Sequence, residues 1–178
     1  PDRAGAGKFR GGSPFRRDYK FLEQEGILQV RSDRRDFRPY GLYGGNPGKP
    51  SWNVLNPDIE NRPLTAKLTM DIKRGDVFRH EMAGAGGWGD PLDRDTWRVL
   101  RDVRNEMIGN ETACRDYGVV IDTDTMTVDE QATENLRAEM RARRGWKDLP
   151  KVLREEWPGT EEAGEPNHEN AQQAMRAG

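Results

Sequence analysis

The chain has 178 residues, 33% hydrophobic and 34% charged, with a formal net charge of -2 and a mean hydropathy of -1.02. So polar a composition is short of apolar surface for a self-sufficient core, which predicts a chain that completes its core against other polypeptide, and the first residue, Pro1 rather than Met, points to a fragment or processed piece. The charge balance supplies no field that would draw the chain onto nucleic acid, no run approaches the roughly 18 apolar residues of a membrane span, and the lone Cys114 excludes an intrachain disulfide or multi-cysteine zinc site, which fits a reducing cytoplasm.

Residues 1–13 are rich in glycine and basic side chains without an apolar signal core. They fall short of a phosphate loop because Lys8 is followed by Phe9 instead of the Ser or Thr that would hold magnesium. Period-two alternation over 17–23, with Tyr19 and Phe21 between polar residues, predicts a strand; Gln24, Glu25 and Gly26 predict a hairpin turn into a second strand over 27–31. Residues 31–40 hold four arginines and two aspartates, read as a solvated, internally paired cluster, with an anion site as the sharper alternative. Gly41, Gly44, Gly45, Pro47, Gly48 and Pro50 mark a long loop of the kind that often carries function. Leu64, Ala66, Leu68, Met70 and Ile72 alternate on one face of a strand, and after a turn at 73–76 residues 77–82 are expected to return as its partner.

That strand delivers the stretch around which the chain is organised, residues 75–92, with Gly84, Gly86, Gly87 and Gly89 in six positions. Such density predicts positive φ or the close approach of another group. The glycines formally fit a dinucleotide fingerprint, but no helix opens directly behind them and no βαβ unit surrounds them, so the match is discounted. Beyond the loop the period changes to helical. Asp95 is an expected N-cap for a helix with Trp97, Leu100 and Met107 at helical spacing and Gly109 as its stop. A second short helix runs from Asn110 to a stop at Gly118, a buried run follows at 119–121, and Thr127 with Glu130 forms an expected capping box ahead of Val128, Ala132, Leu136 and Met140. The fold class is therefore α+β, a β-hairpin-rich N-terminal half followed by helices, divided into a β-rich segment at 1–92, a helical segment with a short strand at 93–146, and a short helix with a polar acidic tail at 147–178.

No complete catalytic set is visible. His80 lies between Arg79 and Glu81 and His168 lies in the tail, too few for a histidine metal site, so His80 reads as structural with a local hydrogen bond. Asp76, Asp90, Asp93 and Asp95 each have a role in a turn or at a helix start, and Cys114, without a histidine partner in sequence, reads as a buried inert thiol.

Six short strings in fixed order give a more specific signal. They are Gly5-Ala-Gly-Lys-Phe-Arg-Gly-Gly12, Phe37-Arg-Pro-Tyr-Gly-Leu-Tyr-Gly-Gly-Asn-Pro-Gly48, Gly75-Asp-Val-Phe-Arg-His-Glu81, Gly86-Gly-Trp-Gly-Asp-Pro-Leu92, Val103-Arg-Asn105 and Arg115-Asp-Tyr-Gly-Val-Val120. Over residues 4–145 the chain thereby resembles the C-terminal part of the B subunit of the hydantoinase/oxoprolinase family. The resemblance implies part of a larger subunit in an ATP-dependent cyclic amide hydrolase, with a related ketone carboxylase or a non-catalytic assembly segment as alternatives. It implies ATP and Mg2+ on a partner A-type subunit, a catalytic divalent metal on B-type polypeptide upstream of Pro1 with none in this chain, a small-molecule substrate, and neither nucleic acid nor membrane as partner. Arg38, Tyr40, Gly44, Gly45, His80, Gly84, Gly86, Gly87, Gly89 and Asp90 are the expected pocket-wall or subunit-contact residues.

Overall fold

The structure, a computed structural model, describes residues 1–144, so the expected helix and tail at 147–178 and the stop at Gly145 lie outside it. Strands come first: β1 (Arg16–Lys20), β2 (Glu25–Arg31), β3 (Trp52–Leu55), β4 (Arg62–Leu64), β5 (Lys67–Lys73) and β6 (Val77–Glu81). Helices follow: a single 3-10 turn at Pro91–Asp93, α1 (Thr96–Arg104), α2 (Asn110–Tyr117) and α3 (Glu130–Arg143), with a small ribbon of β7 (Ile121–Asp122) and β8 (Thr127–Val128) ahead of α3. The α+β class expected from the change of period is what the chain forms.

β1, β2, β5 and β6 fall where alternation puts them, β3 is a strand that no alternation announced, and two of the pairings differ from expectation. β1 does not pair with β2, nor β5 with β6. Instead β1 pairs antiparallel with β6, Tyr19 opposite Phe78, and β2 pairs antiparallel with β5, Leu28 opposite Met70. The two ladders are one ribbon: across the break, residues 21–24 oppose residues 74–76, and Phe21 N–H to the Asp76 carbonyl (2.8 Å) and Gly75 N–H to the Phe21 carbonyl (2.9 Å) carry the hydrogen bonding through. One extra residue on one strand bends such a ribbon. The supposed hairpin turn is thus a corner, where a Cβ at Gly26 would stand 2.5 Å from the tip of the Phe21 ring and push that ring aside.

Past the corner the β2–β5 ribbon lies on the sheet ordered β1-β6-β3-β4. Val30 and Ile72 of the ribbon share one buried cluster with Leu55, Leu64 and Phe78 of the sheet. The inward face expected for Leu64, Leu68, Met70 and Ile72 is the one observed, although the strand breaks at residues 65–66. At about 25 cal/mol per Å² of apolar area, each such side chain contributes roughly 1.5–3 kcal/mol.

The second core gathers Val99 of α1, Ile108, Ala113 and Tyr117 of α2, Val119, Ile121, and Ala6 from the N-terminal segment. Two capping expectations are corrected. Asp95 holds the N-cap position of α1 but makes no capping bond, its carboxylate pairing with Arg98 instead; α3 is capped by Asp129, which accepts from Ala132 N–H, and not by Thr127. α1 ends at Arg104, short of Gly109, while Gly118 ends α2 in the left-handed region at φ 60°. Cys114, expected to be buried, is exposed, because α2 turns Thr112, Ala113 and Tyr117 inward.

Candidate functional site

Three glycine-rich segments far apart in sequence meet in one place. Residues 84–89 run between residues 3–12 and residues 39–49, and all three bond backbone to backbone. Gly5 N–H donates to the Ala85 carbonyl (2.8 Å), Gly84 N–H to Lys49 (3.0 Å), Gly87 N–H to Asn46 (2.9 Å) and Leu42 N–H to Gly87 (2.9 Å). The outer segments also bond to each other, Asn46 N–H to the Ala6 carbonyl at 2.7 Å. The glycines are there because main chain packs on main chain: a Cβ would come within 2.1 Å of a carbonyl oxygen at Gly45 (Gly87), 2.0 Å at Gly87 (Ala6) and 1.8 Å at Gly86 (Tyr40). Gly89 and Gly44 add positive φ, 74° and 94°. The expected close approach is therefore real, and the approaching group is the protein's own backbone.

This arrangement uses the amides that a phosphate loop or dinucleotide loop would need free. Gly5, Lys8, Gly11, Gly84, Gly87 and Gly89 all donate to carbonyls. Both discounted motifs are thereby accounted for as framework.

Arg38 and Tyr40 belong to the same bundle. Arg38 Nε donates to the Gly48 carbonyl at 2.9 Å, and the exposed Tyr40 ring leaves its carbonyl packed on Gly86. The arginine-rich segment is not paired internally, as had been expected: among the described residues its arginines form no ion pair with Asp33 or Asp36. Arg35 donates to the Leu64 carbonyl (2.6 Å) and lies over the Trp52 ring. On the outer surface of the bundle Trp88 packs against Phe9 (5.5 Å) and Tyr43 (5.4 Å), and all three rings are exposed, Trp88 by 44%.

Asp90 is the joint between the bundle and the helices. One carboxylate oxygen accepts from Leu92 N–H, and the other pairs with Arg144 at the end of α3. Arg141 and Arg137 of α3 donate to the carbonyls of Leu92 and Arg94; burial pulls Arg137 below the usual guanidinium range. Beneath them Asp102, 4% exposed, takes Arg94 at 2.7 Å and Arg10 at 3.1 Å, and Arg94 also donates to the Lys8 carbonyl. Helix and glycine segment are thus clamped by one buried carboxylate. Sequence reasoning missed this clamp and the Phe9–Trp88–Tyr43 face, whose one signal was a tryptophan set among glycines.

His80 stands apart, on β6. Its Nδ1 donates to Asn53 Oδ1 at 2.7 Å, a local bond of the kind expected, though Glu81 plays no part in it and pairs with Arg3. Burial, with the charge of Arg17 across the strand pair, holds its pKa below the ordinary histidine value, so the ring is neutral at neutral pH. Among the described residues no group of three or more His, Cys, Asp or Glu side chains is placed to hold a metal ion, and His80 activates no nucleophile. No helix among them is long and apolar enough to cross a membrane.

Fold and site define a framework module: a backbone-packed glycine platform clamped to a helical lobe, with an uncovered aromatic face. The hydantoinase B/oxoprolinase family model matches residues 1–91, and the chain belongs to that family. It is 37% identical over 138 residues to an uncharacterised protein, MJ0963, of Methanocaldococcus jannaschii, covering 76% of this chain and 24% of that one. It is 32% identical over 148 residues to the caprolactamase subunit beta of Pseudomonas jessenii (77% and 24% covered), and the crystal structure of that ATP-dependent caprolactamase superposes with a TM-score of 0.63 at 29% identity (77% and 24%). The acetone carboxylase alpha subunit of Xanthobacter autotrophicus is 28% identical over 145 residues (79% and 19%). A nucleotide-free acetone carboxylase structure gives a TM-score of 0.67 at 23% identity (84% and 24%), a likeness of fold alone. The chain spans about a quarter of the length of the relatives it matches.

Proposed function

We propose that this chain is the C-terminal portion of a B-type subunit in an ATP-dependent cyclic amide hydrolase, acting as framework and pocket wall. The observation that carries the reading is the aromatic face of Phe9, Tyr43 and Trp88 on a rigid glycine platform, in a family member that spans a quarter of its relatives. Exposed apolar patches on stiff supports mark contact surfaces, and the rest of the B-type polypeptide is the natural cover. Arg38, Tyr40, Gly44, Gly45, Gly84, Gly86, Gly87 and Gly89 would then shape that contact, with Asp90 fixing it to the helices, while His80 stands apart on the sheet.

The hydrolase reading is preferred to the carboxylase one because the identity to caprolactamase, 32%, exceeds that to acetone carboxylase, 28%. An amide carbonyl is a poor electrophile, and phosphorylation of its oxygen by ATP creates a leaving group whose charge Mg2+ and cationic side chains can meet. In this reading ATP and Mg2+ sit on an A-type partner subunit and a divalent metal on the remaining B-type polypeptide, while this chain excludes water and holds the wall in place. The test is turnover by the assembled A-type and B-type polypeptides. ATP hydrolysis coupled to opening of a lactam or hydantoin ring is expected; ATP hydrolysis that requires bicarbonate and a ketone would replace this reading with the carboxylase one.

A further inference from the structure

The four-stranded sheet ends in two unlike edges. At one, β4 is only three residues long, and the residue turned outward is Pro63, which has no N–H to offer. A proline on a short strand is a common way to close a sheet edge. At the other edge lies β1, five residues long and exposed throughout. Hydrogen bonds at its two ends set the register: Met82 N–H donates to the Phe15 carbonyl (3.2 Å) and Phe21 N–H to the Asp76 carbonyl (2.8 Å). Odd-numbered residues therefore turn their N–H and C=O toward β6, and Arg16, Asp18 and Lys20 turn theirs outward. Among the described residues no backbone group bonds to these outward groups. The outer edge of β5 differs, being tied at both ends: Thr65 Oγ1 donates to the Lys67 carbonyl (3.1 Å) and Lys73 N–H to Asp76 Oδ2 (2.9 Å).

The side chains of β1 define the chemistry of a strand that could lie beside it. Phe15 and Tyr19 point to one face, Tyr19 stacked on Phe78 (6.2 Å) and Phe15 beneath the Arg17 guanidinium (4.2 Å), yet the two rings stay 47% and 51% exposed. Arg16, Asp18 and Lys20 point to the other face. Asp18 is spent on Arg79, whose guanidinium donates to both carboxylate oxygens at 2.8 and 2.7 Å. Arg16 and Lys20 are thus left as cations, and among the described residues neither forms an ion pair. A second copy is a poor occupant. Antiparallel pairing of β1 with itself about Asp18 sets Arg16 against Lys20 and Asp18 against Asp18, and like charges directly opposite are destabilising. The strand that matches carries acidic side chains on one face and apolar ones on the other.

We propose that β1 pairs with an extended strand of the remaining B-type polypeptide, in which acidic side chains facing Arg16 and Lys20 alternate with apolar ones laid beside Phe15 and Tyr19. The added strand bonds main chain to main chain with Arg16, Asp18 and Lys20, and its alternating side chains give the choice of partner. Its source rests on the B-type reading above: the chain spans about a quarter of its relatives' length, and the strand comes from the rest. The edge shares no residue with the Phe9–Trp88–Tyr43 face, so the two contacts are separately testable.

The experiment reads hydrogen exchange at single amides in the 178-residue chain and in the whole B-type polypeptide. Arg16, Asp18 and Lys20 should exchange fast in the first and about tenfold or more slower in the second, while Arg17 and Tyr19, bonded to β6, are slow in both. Lys20→Pro removes one outward N–H without touching the β1–β6 bonds, as Pro63 does on β4, and Lys20→Glu reverses the charge. In the whole polypeptide each variant should cancel most of the slowing at Arg16 and Asp18. Lys20 is exposed, so Lys20→Glu keeps the fold and decides the matter even if Lys20→Pro does not fold. Edge amides that stay fast in the whole polypeptide, that are already slow in the 178-residue chain, or that stay slow in Lys20→Glu would overturn the proposal. Acrylamide quenching of Trp88, taken as the difference from Trp88→Phe, is followed in the same samples. A shielded Trp88 beside fast edge amides sinks the strand and leaves the B-type reading standing; an open Trp88 beside fast edge amides sinks both.

Discussion

A single methyl group added at Gly86 measures how firmly the three glycine segments are packed. Its Cβ would stand 1.8 Å from the Tyr40 carbonyl oxygen, 2.5 Å from the carbonyl carbon and 3.0 Å from Gly41 N. Relief needs a shift of about 1.6 Å in main chain, since ordinary contact begins near 3.4 Å. The main chain on both sides is tied: Leu42 to Gly87, Gly87 to Asn46 and Gly89 to Leu42 are all at 2.9 Å. Overpacking costs about 1–3 kcal/mol and each backbone bond that opens about 1 kcal/mol, so Gly86→Ala should destabilise by roughly 3–6 kcal/mol. Gly12→Ala is the matched control, because its nearest neighbour is the Ala85 Cβ at 3.9 Å; it should lie within about 0.5 kcal/mol of the parent. Urea denaturation followed by circular dichroism reads both, with an expected fall in midpoint of roughly 2 M for Gly86→Ala at a slope near 2 kcal/mol/M. Equal midpoints for the two variants would refute the backbone-packing argument.

Other expectations follow from the buried charges and rings. Asp102→Ala should cost about 3–5 kcal/mol by leaving Arg94 and Arg10 facing each other without their anion, and adding Arg10→Met should recover part of the lost melting temperature. Burial pushes the Tyr117 phenol up to about 12, so ultraviolet titration should show one of the four tyrosines ionising well after the rest. Because that folded value exceeds the unfolded one near 10, the Tyr117 contribution is intact below pH 10 and lost between about 10 and 12. His80 has the opposite sign: its lowered pKa makes the fold lose stability as pH drops below the ordinary histidine value of about 6.5. Arg17→Gln should move the His80 NMR midpoint only part of the way back, since burial is the larger cause and Arg17 the smaller.

Alternation and period signal which side chains face inward, and Leu64, Ile72 and Tyr117 do face inward; on α1 the face was misjudged, since Trp97 and Met107 are exposed and Val99 is buried instead. Pairing was less legible. A glycine beside polar residues marks a hairpin turn and a ribbon corner alike, and only the long-range register, with Glu25 opposite Lys73 and Lys20 opposite Val77, separates them. The glycine motif was read correctly as close approach, but sequence carries no mark of what approaches, and the partners 35 or more residues away are set by packing. The buried carboxylate was hidden for a related reason. Asp102 sits in a helix rich in arginine, where a charged residue ordinarily faces water, and its two guanidinium partners come from Arg10 and Arg94, one of them at the far end of the chain.

The three glycine segments form one hydrogen-bonded framework and are not ligand loops. Native-state hydrogen exchange at the amides of Gly5, Asn46, Gly84 and Gly87 tests this most directly. The framework predicts exchange in the slowest class, alongside the core amides of α1 and β6. Exchange at the rates of unprotected loops would contradict it, and with it the assignment of these residues to a rigid contact surface.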